Sequence, residues 1–438
     1  MKLKNYLPFF WLLLILLFIG IFRLLYYNAF ESFTLFPDSE TYLFYSGDLF
    51  HGVIDDGRTP VYPYFIRFLQ YFSPNSKTII VNFQIFISLF SVFIFYKILN
   101  LLFSNKYFIC VATTFYGIFL PIVFYDKIIL TESLSISFVV LFIYIILLFI
   151  KYSSYLLSLL ISFGVLFLIM LRPSFLYMVP IFILFWLARL ILIKHDKKKS
   201  FIGLICTCSI IIILFFYSKM NEEQNNFFGI TSISNVNLFY NLLKNKLYEK
   251  GNDSEITNKI VSFYKTNNMK DSLKIADEIN NTYPPDRVSA FISNNIRSNS
   301  LTYIKKSLET AISIKDMNIF SNYSKYKKNK AAIYTNKIEL FIPKISFLAL
   351  YIFIFISLPF FLISRRYIIH IFSFSILIWT ILLAHTLFIF LGSNDEFSRL
   401  IFTAIPYFAV LILICLKILY SILKIIINNK FLHTSNKI

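Results

Sequence analysis

Negative charge is scarce in this chain. Its 438 residues hold 23 Asp and Glu against 42 Lys and Arg, a formal net charge of +19 at pH 7. Glycine is scarce as well, at 10 residues, and no Gly-rich loop is available to cradle a nucleotide phosphate. The 4 cysteines, Cys110, Cys206, Cys208 and Cys415, all fall inside apolar runs, so none can staple an outer domain. The Cys206-Thr207-Cys208 stretch has no third or fourth ligand nearby, which favours packing over zinc. The 5 histidines, His51, His195, His370, His385 and His433, show no paired spacing, and a histidine-built metal site is not expected. No internal repeat or low-complexity tract is present.

What the chain has is hydrophobic length. It is 58% hydrophobic, with a mean hydropathy of +0.69. Apolar runs of about 17–25 residues are long enough to cross a bilayer core. We read ten, at 8–27, 78–101, 107–125, 133–150, 154–171, 174–193, 201–217, 345–363, 367–391 and 400–423. In lipid the backbone has to satisfy its own hydrogen bonds, so these spans are expected to be helices. The expected fold class is an all-α polytopic membrane protein with about ten transmembrane helices. Lys2 and Lys4 precede the first run, which is too long for a signal-peptide core and has no small-x-small cleavage site after it. It reads as a retained anchor.

The basic residues then orient the chain. With the N-terminus inside, inner loops hold Lys106, Lys151, the run "KHDKKK" at 194–199, Arg365, Arg366 and Lys430. The short outer loops hold Lys127, Arg172 and Arg399. This is the positive-inside bias, and it explains the net charge without nucleic acid. Residues 1–217 form a membrane domain whose first outer loop is 28–77. Residues 218–340 form a mostly helical extracytoplasmic insertion, and 341–438 carry the C-terminal spans. In the first loop, "SETYLFYSGDLF" and "YPYFIRFLQYF" read as helices lying in the interface.

This orientation gathers the informative polar residues on one face. Asp38, Glu40 and Arg58 lie in the first outer loop. Asp126 and Glu132 lie in "YDKIILTES", Arg172 in "LRPS", and Asp395, Glu396 and Arg399 in "SNDEFSR". Acids and arginines at the borders of separate spans are costly unless paired or wet, and a shared outward cavity explains the grouping. Each also has a plainer reading. Asp38 after Pro37 is a candidate helix N-cap, and Glu40 a solvated first-turn acid. Asp55 and Asp56 before Gly57 look like a turn tip. Asp126 and Lys127 form a local surface pair, and Arg172 and Arg399 snorkel to headgroups.

An acid just beyond the first span, amphipathic loop segments and "RTPVYPYF" together resemble the lipid-dependent glycosyltransferases of the C-type fold. The similarity is greatest to the branch containing protein O-mannosyltransferases and lipid A aminoarabinose transferases. That branch's acid, glycine and Arg/Lys-x-Pro-x-Tyr-Pro-like stretch fall here on Asp38, Gly47 and Arg58-Thr59-Pro60-Val61-Tyr62-Pro63. "DKIILTESL" resembles its acid-bearing turn, Arg172-Pro173 its Arg-Pro turn, and Arg399 with Pro406 its late arginine near a proline. The resemblance covers chiefly 1–190 and weakly 395–410. The branch's paired acids are split here as Asp38-Ser39-Glu40, which leaves either acid as the base.

The resemblance implies transfer of a sugar from a polyprenyl phosphate to an acceptor hydroxyl on a glycan, lipid or protein outside the cytoplasm. Asp38 or Glu40 would be the general base, and Arg58, Arg172 and Arg399 would hold the donor phosphate. Asp126 and Glu132 would form a second acidic cluster. No cofactor is required, and a divalent metal on Asp126 and Glu132 is allowed but not indicated. The implied location is the plasma (bacterial inner) membrane, with both termini cytoplasmic. Two other classes share some features. Polysaccharide polymerases and ligases rely on outer-loop arginines rather than an acid at the first span. Flippases and other transporters show internal symmetry and mid-span polar groups.

Overall fold

The computed structural model describes residues 3–28, 35–73, 77–193, 196–250, 252–266, 272–313, 369–392 and 397–435, with short pieces between 330 and 355. Among the described residues no strand forms beyond one bridge between Asp48 and Val53. Among the described residues, six helices are long and apolar enough to cross a membrane, and two shorter apolar helices accompany them. The protein is therefore an all-α membrane protein. The ten expected spans are not all matched: 107–125 is broken into two short helices, and 356–368, including Arg365 and Arg366, lies outside the described residues.

The first half of the chain places the site. Helix α1 (Leu3–Asn28) leads to α2 (Pro37–Leu43) and α3 (Val61–Phe72). Then come α4 (Lys77–Leu102), α5 (Lys106–Gly117), α6 (Leu120–Tyr125) and α7 (Thr131–Tyr152). Helices α8 (Tyr155–Leu171), α9 (Met178–Leu192) and α10 (Lys197–Asn225) follow. One continuous buried cluster runs through these helices, from Leu12 and Ile19 through Phe95, Phe149 and Trp186. The short α7–α8 turn is closed by Ser153 in the left-handed region (φ 42°) and by Ser154, whose hydroxyl accepts from Leu157 N (3.2 Å).

The expected span 107–125 is not one helix. Pro121 has no N–H, so the carbonyl four residues back, on Gly117, loses its helical partner. Arg23 Nε on α1 donates to that carbonyl instead (2.9 Å). Gly117 also lets α1 approach: a Cβ there would lie 2.4 Å from Ile19 Cδ1. The chain breaks at Ile118-Phe119 into α5 and α6.

The segment that follows the first apolar helix is only partly helical. The expected amphipathic stretch 39–50 stops at Leu43. Arg67 on α3 then donates to the carbonyls of Tyr45 (2.6 Å) and Gly47 (2.8 Å), and these carbonyls are captured side-on rather than by a helix. Helix α3 keeps Tyr62, Ile66 and Leu69 buried while Phe68, Tyr71 and Phe72 stay exposed.

Helix α10 continues past 217 to Asn225. Beyond it, α11 (Ile233–Lys244), α12 (Ser254–Thr266), α13 (Ser272–Thr282), α14 (Pro285–Ser298) and α15 (Ser300–Ser313) enclose a second core around Phe239, Ile260, Ile279 and Phe291. The last described helices are α16 (Ile369–Gly392), α17 (Phe397–Phe402) and α18 (Ile405–Ser435). Tyr303 on α15 donates to the carbonyl of Leu391 on α16, tying the second core to the membrane helices.

Candidate functional site

Asp38 is not an N-cap. Pro37 begins α2 and Phe36 occupies the capping position, so Asp38 lies in the first helical turn. There a carboxylate also meets the favourable end of the helix dipole. Its two oxygens face two arginines. Arg58 Nη2 donates to Oδ1 and Arg399 Nη2, from α17, donates to Oδ2, each at 2.9 Å.

The row continues inward. Arg399 Nε and Arg172 Nη1 both lie 3.0 Å from Glu132 Oε1. That oxygen has no hydrogen-bond partner of good geometry, so its hold on the arginines is charge attraction rather than directed bonding. Arg172 Nη1 also donates to Thr131 Oγ1 (3.3 Å). The order is Arg58, Asp38, Arg399, Glu132, Arg172, with signs alternating along it. Among the described residues, three guanidinium groups meet two carboxylates. The row also has a direction: the Glu132 side chain is 1% exposed and that of Asp38 34%.

Arg58 is held from behind as well. Its Nε donates to Thr41 Oγ1 (2.7 Å) and its Nη1 to the Tyr42 hydroxyl (3.1 Å). Its guanidinium carbon lies 4.4 Å from the Tyr42 ring centroid, within cation–π range. Tyr42 in turn meets Tyr62 edge-on at 5.0 Å. Asp55 fixes the turn before Arg58: its Oδ1 accepts from Gly57 N and Arg58 N, both at 2.9 Å. The turn-tip reading of Asp55 holds. Burial would raise the Asp38 carboxyl, but Arg399 and then Arg58 outweigh it and hold it down at about 2.

Five of the seven sequence candidates thus meet in one cluster. Glu40 is exposed on α2 and makes no ion pair with it. Asp126 and Glu132 do not form a common acidic cluster. Asp126 is fully buried and pairs with Arg23 Nη1 (2.9 Å), while Ser133 Oγ donates to it at 2.6 Å and Tyr27 Oη at 3.1 Å. With these partners Asp126, at the end of α6, belongs to a buried structural ion pair whose Arg23 also holds the α5–α6 break, not to a surface pair with Lys127. Asp395 and Glu396 lie outside the described residues. No group of three or more His, Cys, Asp or Glu able to hold a metal occurs among the described residues. Thr41, Tyr42 and Thr131 were missed in the sequence, although each is within four residues of a flagged acid.

No family model matches the chain, and no curated protein matches it.

Proposed function

We propose that the protein is a membrane glycosyltransferase that moves a sugar from a polyprenyl phosphate to an acceptor hydroxyl on the outer face of the plasma (bacterial inner) membrane, with both termini cytoplasmic. One observation carries the reading: α2, the Arg58 turn, α7, the Arg172 turn and α17 deliver three arginines and two carboxylates to one spot.

The chemistry fits those groups. The acceptor oxygen attacks the anomeric carbon and loses its proton to Asp38, which acts as general base. The bond from that carbon to the phosphate oxygen breaks, and its electron pair stays on the phosphate. Positive charge developing on the sugar is favoured by a nearby carboxylate. Negative charge developing on the leaving phosphate is favoured by guanidinium groups, whose planar forks match phosphate oxygens. Among the two candidate acids, Asp38 is preferred because it is the exposed carboxylate within the row and Glu40 stands outside it.

Purified protein in detergent, given polyprenyl-phosphate hexoses and pentoses with an extract of envelope glycans, should release polyprenyl phosphate. Asp38→Asn should slow release by about a hundredfold or more, the usual scale for a general base. Arg399→Ala should weaken donor use, and Arg399→Lys should restore it only in part. Equal release by wild type, Asp38→Asn and Arg399→Ala would remove the reading.

A further inference from the structure

In the resting protein Asp38 engages each arginine through a single oxygen, Oδ1 to Arg58 and Oδ2 to Arg399. The donor's phosphodiester offers the same pair of free acceptor oxygens with the same single charge, and the polyprenyl phosphate left after transfer offers a further oxygen and more charge. Both arginines have a second hold that does not involve Asp38. Arg58 keeps Thr41 Oγ1, the Tyr42 hydroxyl and the Tyr42 ring. Arg399 keeps Glu132, 3.0 Å away and shut off from solvent. Removing Asp38 therefore leaves both guanidinium groups anchored and aimed at the same spot. Asp38 holds the most exposed position in the row, where a ligand can replace it.

We infer that Asp38 stands in for the donor's phosphate in the resting site, and that a polyprenyl phosphate binds by taking Arg58 and Arg399 away from it, releasing the carboxylate as the proton acceptor. This rests on the transferase reading. It also resolves a conflict within that reading. A carboxylate held at about 2 by two arginines is a weak base at neutral pH. Once the arginines turn to phosphate, the remaining influence is burial, which raises the carboxyl and makes it a better base. The exchange ties base strength to the presence of donor, so water meets only the weak base when the site is empty.

The test is titration of undecaprenyl phosphate into the purified full chain in detergent micelles by calorimetry. Asp38→Asn removes the competitor and should tighten binding by about tenfold, the scale of one charged hydrogen bond. Glu132→Gln removes the same charge but also an anchor of Arg399, and should bind no tighter than wild type. Tyr42→Phe loses the hydroxyl that keeps Arg58 in place and should bind several-fold more weakly. Equal tightening in Asp38→Asn and Glu132→Gln would reduce the effect to net charge and overturn the exchange. So would an Asp38→Asn variant that binds like wild type. If Asp38→Asn does not fold, Tyr42→Phe decides, and unchanged binding there overturns the proposal. Phosphatidylglycerol showing the same gain in Asp38→Asn would overturn the assignment to polyprenyl phosphate. No binding by wild type or any variant would instead bring down the transferase reading itself.

Discussion

Asp38 has a carboxyl lowered from the ordinary 3.8 to about 2, because the two arginines outweigh burial. For a carboxylate with a lowered value, the ion pairs contribute stability above the ordinary value and lose it as pH falls toward 2. The pairs to Arg58 and Arg399 are therefore fully formed throughout the neutral range. The same shift makes a kinetic prediction. The pH profile of kcat/KM follows the free enzyme, and that of kcat follows the donor complex. A sugar phosphodiester donor carries no group that titrates between about pH 3 and 7, so any acid limb there belongs to the protein. If the donor takes the arginines, the acid limb of kcat should sit at higher pH than that of kcat/KM, which should stay flat down to the point of acid unfolding. Coincident limbs would mean that Asp38 keeps its arginines during turnover, or is not the base.

At the scale of elements, close helix contacts matter more than surface pairs. Helices α8, α9 and α10 meet where Trp186 Nε1 donates to Thr207 Oγ1 (2.9 Å), and that hydroxyl lies 3.0 Å from Ser162 Oγ. Gly203 makes the contact possible, since a Cβ there would lie 2.5 Å from Trp186 Cε2. Gly203→Ala would gain up to about 1 kcal/mol in helix propensity. The fully buried indole ring cannot yield, and overpacking of this kind costs about 1–3 kcal/mol. The net expectation is a lower melting temperature in detergent. An unchanged or higher one would show that the α9–α10 contact is looser than described. Such contacts were not legible in the sequence, where Gly203 and Trp186 lie within separate apolar runs. The cluster itself was more legible. Arg172, Arg399, Asp38 and Glu132 interrupt the borders of apolar runs, and borders are where charge stands out. Arg23 was not legible, because it hides inside the first run. Without it, Asp126 looked like a companion of Glu132 rather than the partner of a buried guanidinium. The α5–α6 break was written in Pro121, but its effect depends on Arg23 taking the released carbonyl.

At the scale of the whole molecule, the cluster's chemistry depends on which side of the membrane it faces. Helix α10 has 29 residues, roughly 43 Å at 1.5 Å per residue, which exceeds a hydrocarbon core of about 30 Å. Its start is Lys197, Lys198 and Lys199, and its end leads into the turn where Ser232 N donates to Asp56 O (2.7 Å) and Thr231 Oγ1 to Gly57 O (2.9 Å). One end of α10 is thus basic, and the other is bonded to the same turn that carries Arg58. Positive charge favours the cytoplasmic side, and on the topology proposed above the Arg58 turn and the arginine–carboxylate row face outward. Lys198, in the first turn of α10, and Ser254, past its other end, are both exposed. In a background with Cys110, Cys206, Cys208 and Cys415 replaced by serine, a cysteine at Ser254 should react with a membrane-impermeant maleimide in intact cells. A cysteine at Lys198 should react only after the cells are opened. Labelling at 198 but not at 254 in intact cells would put the row in the cytoplasm. There an acceptor outside the membrane is out of reach, and the proposed transfer fails together with the orientation.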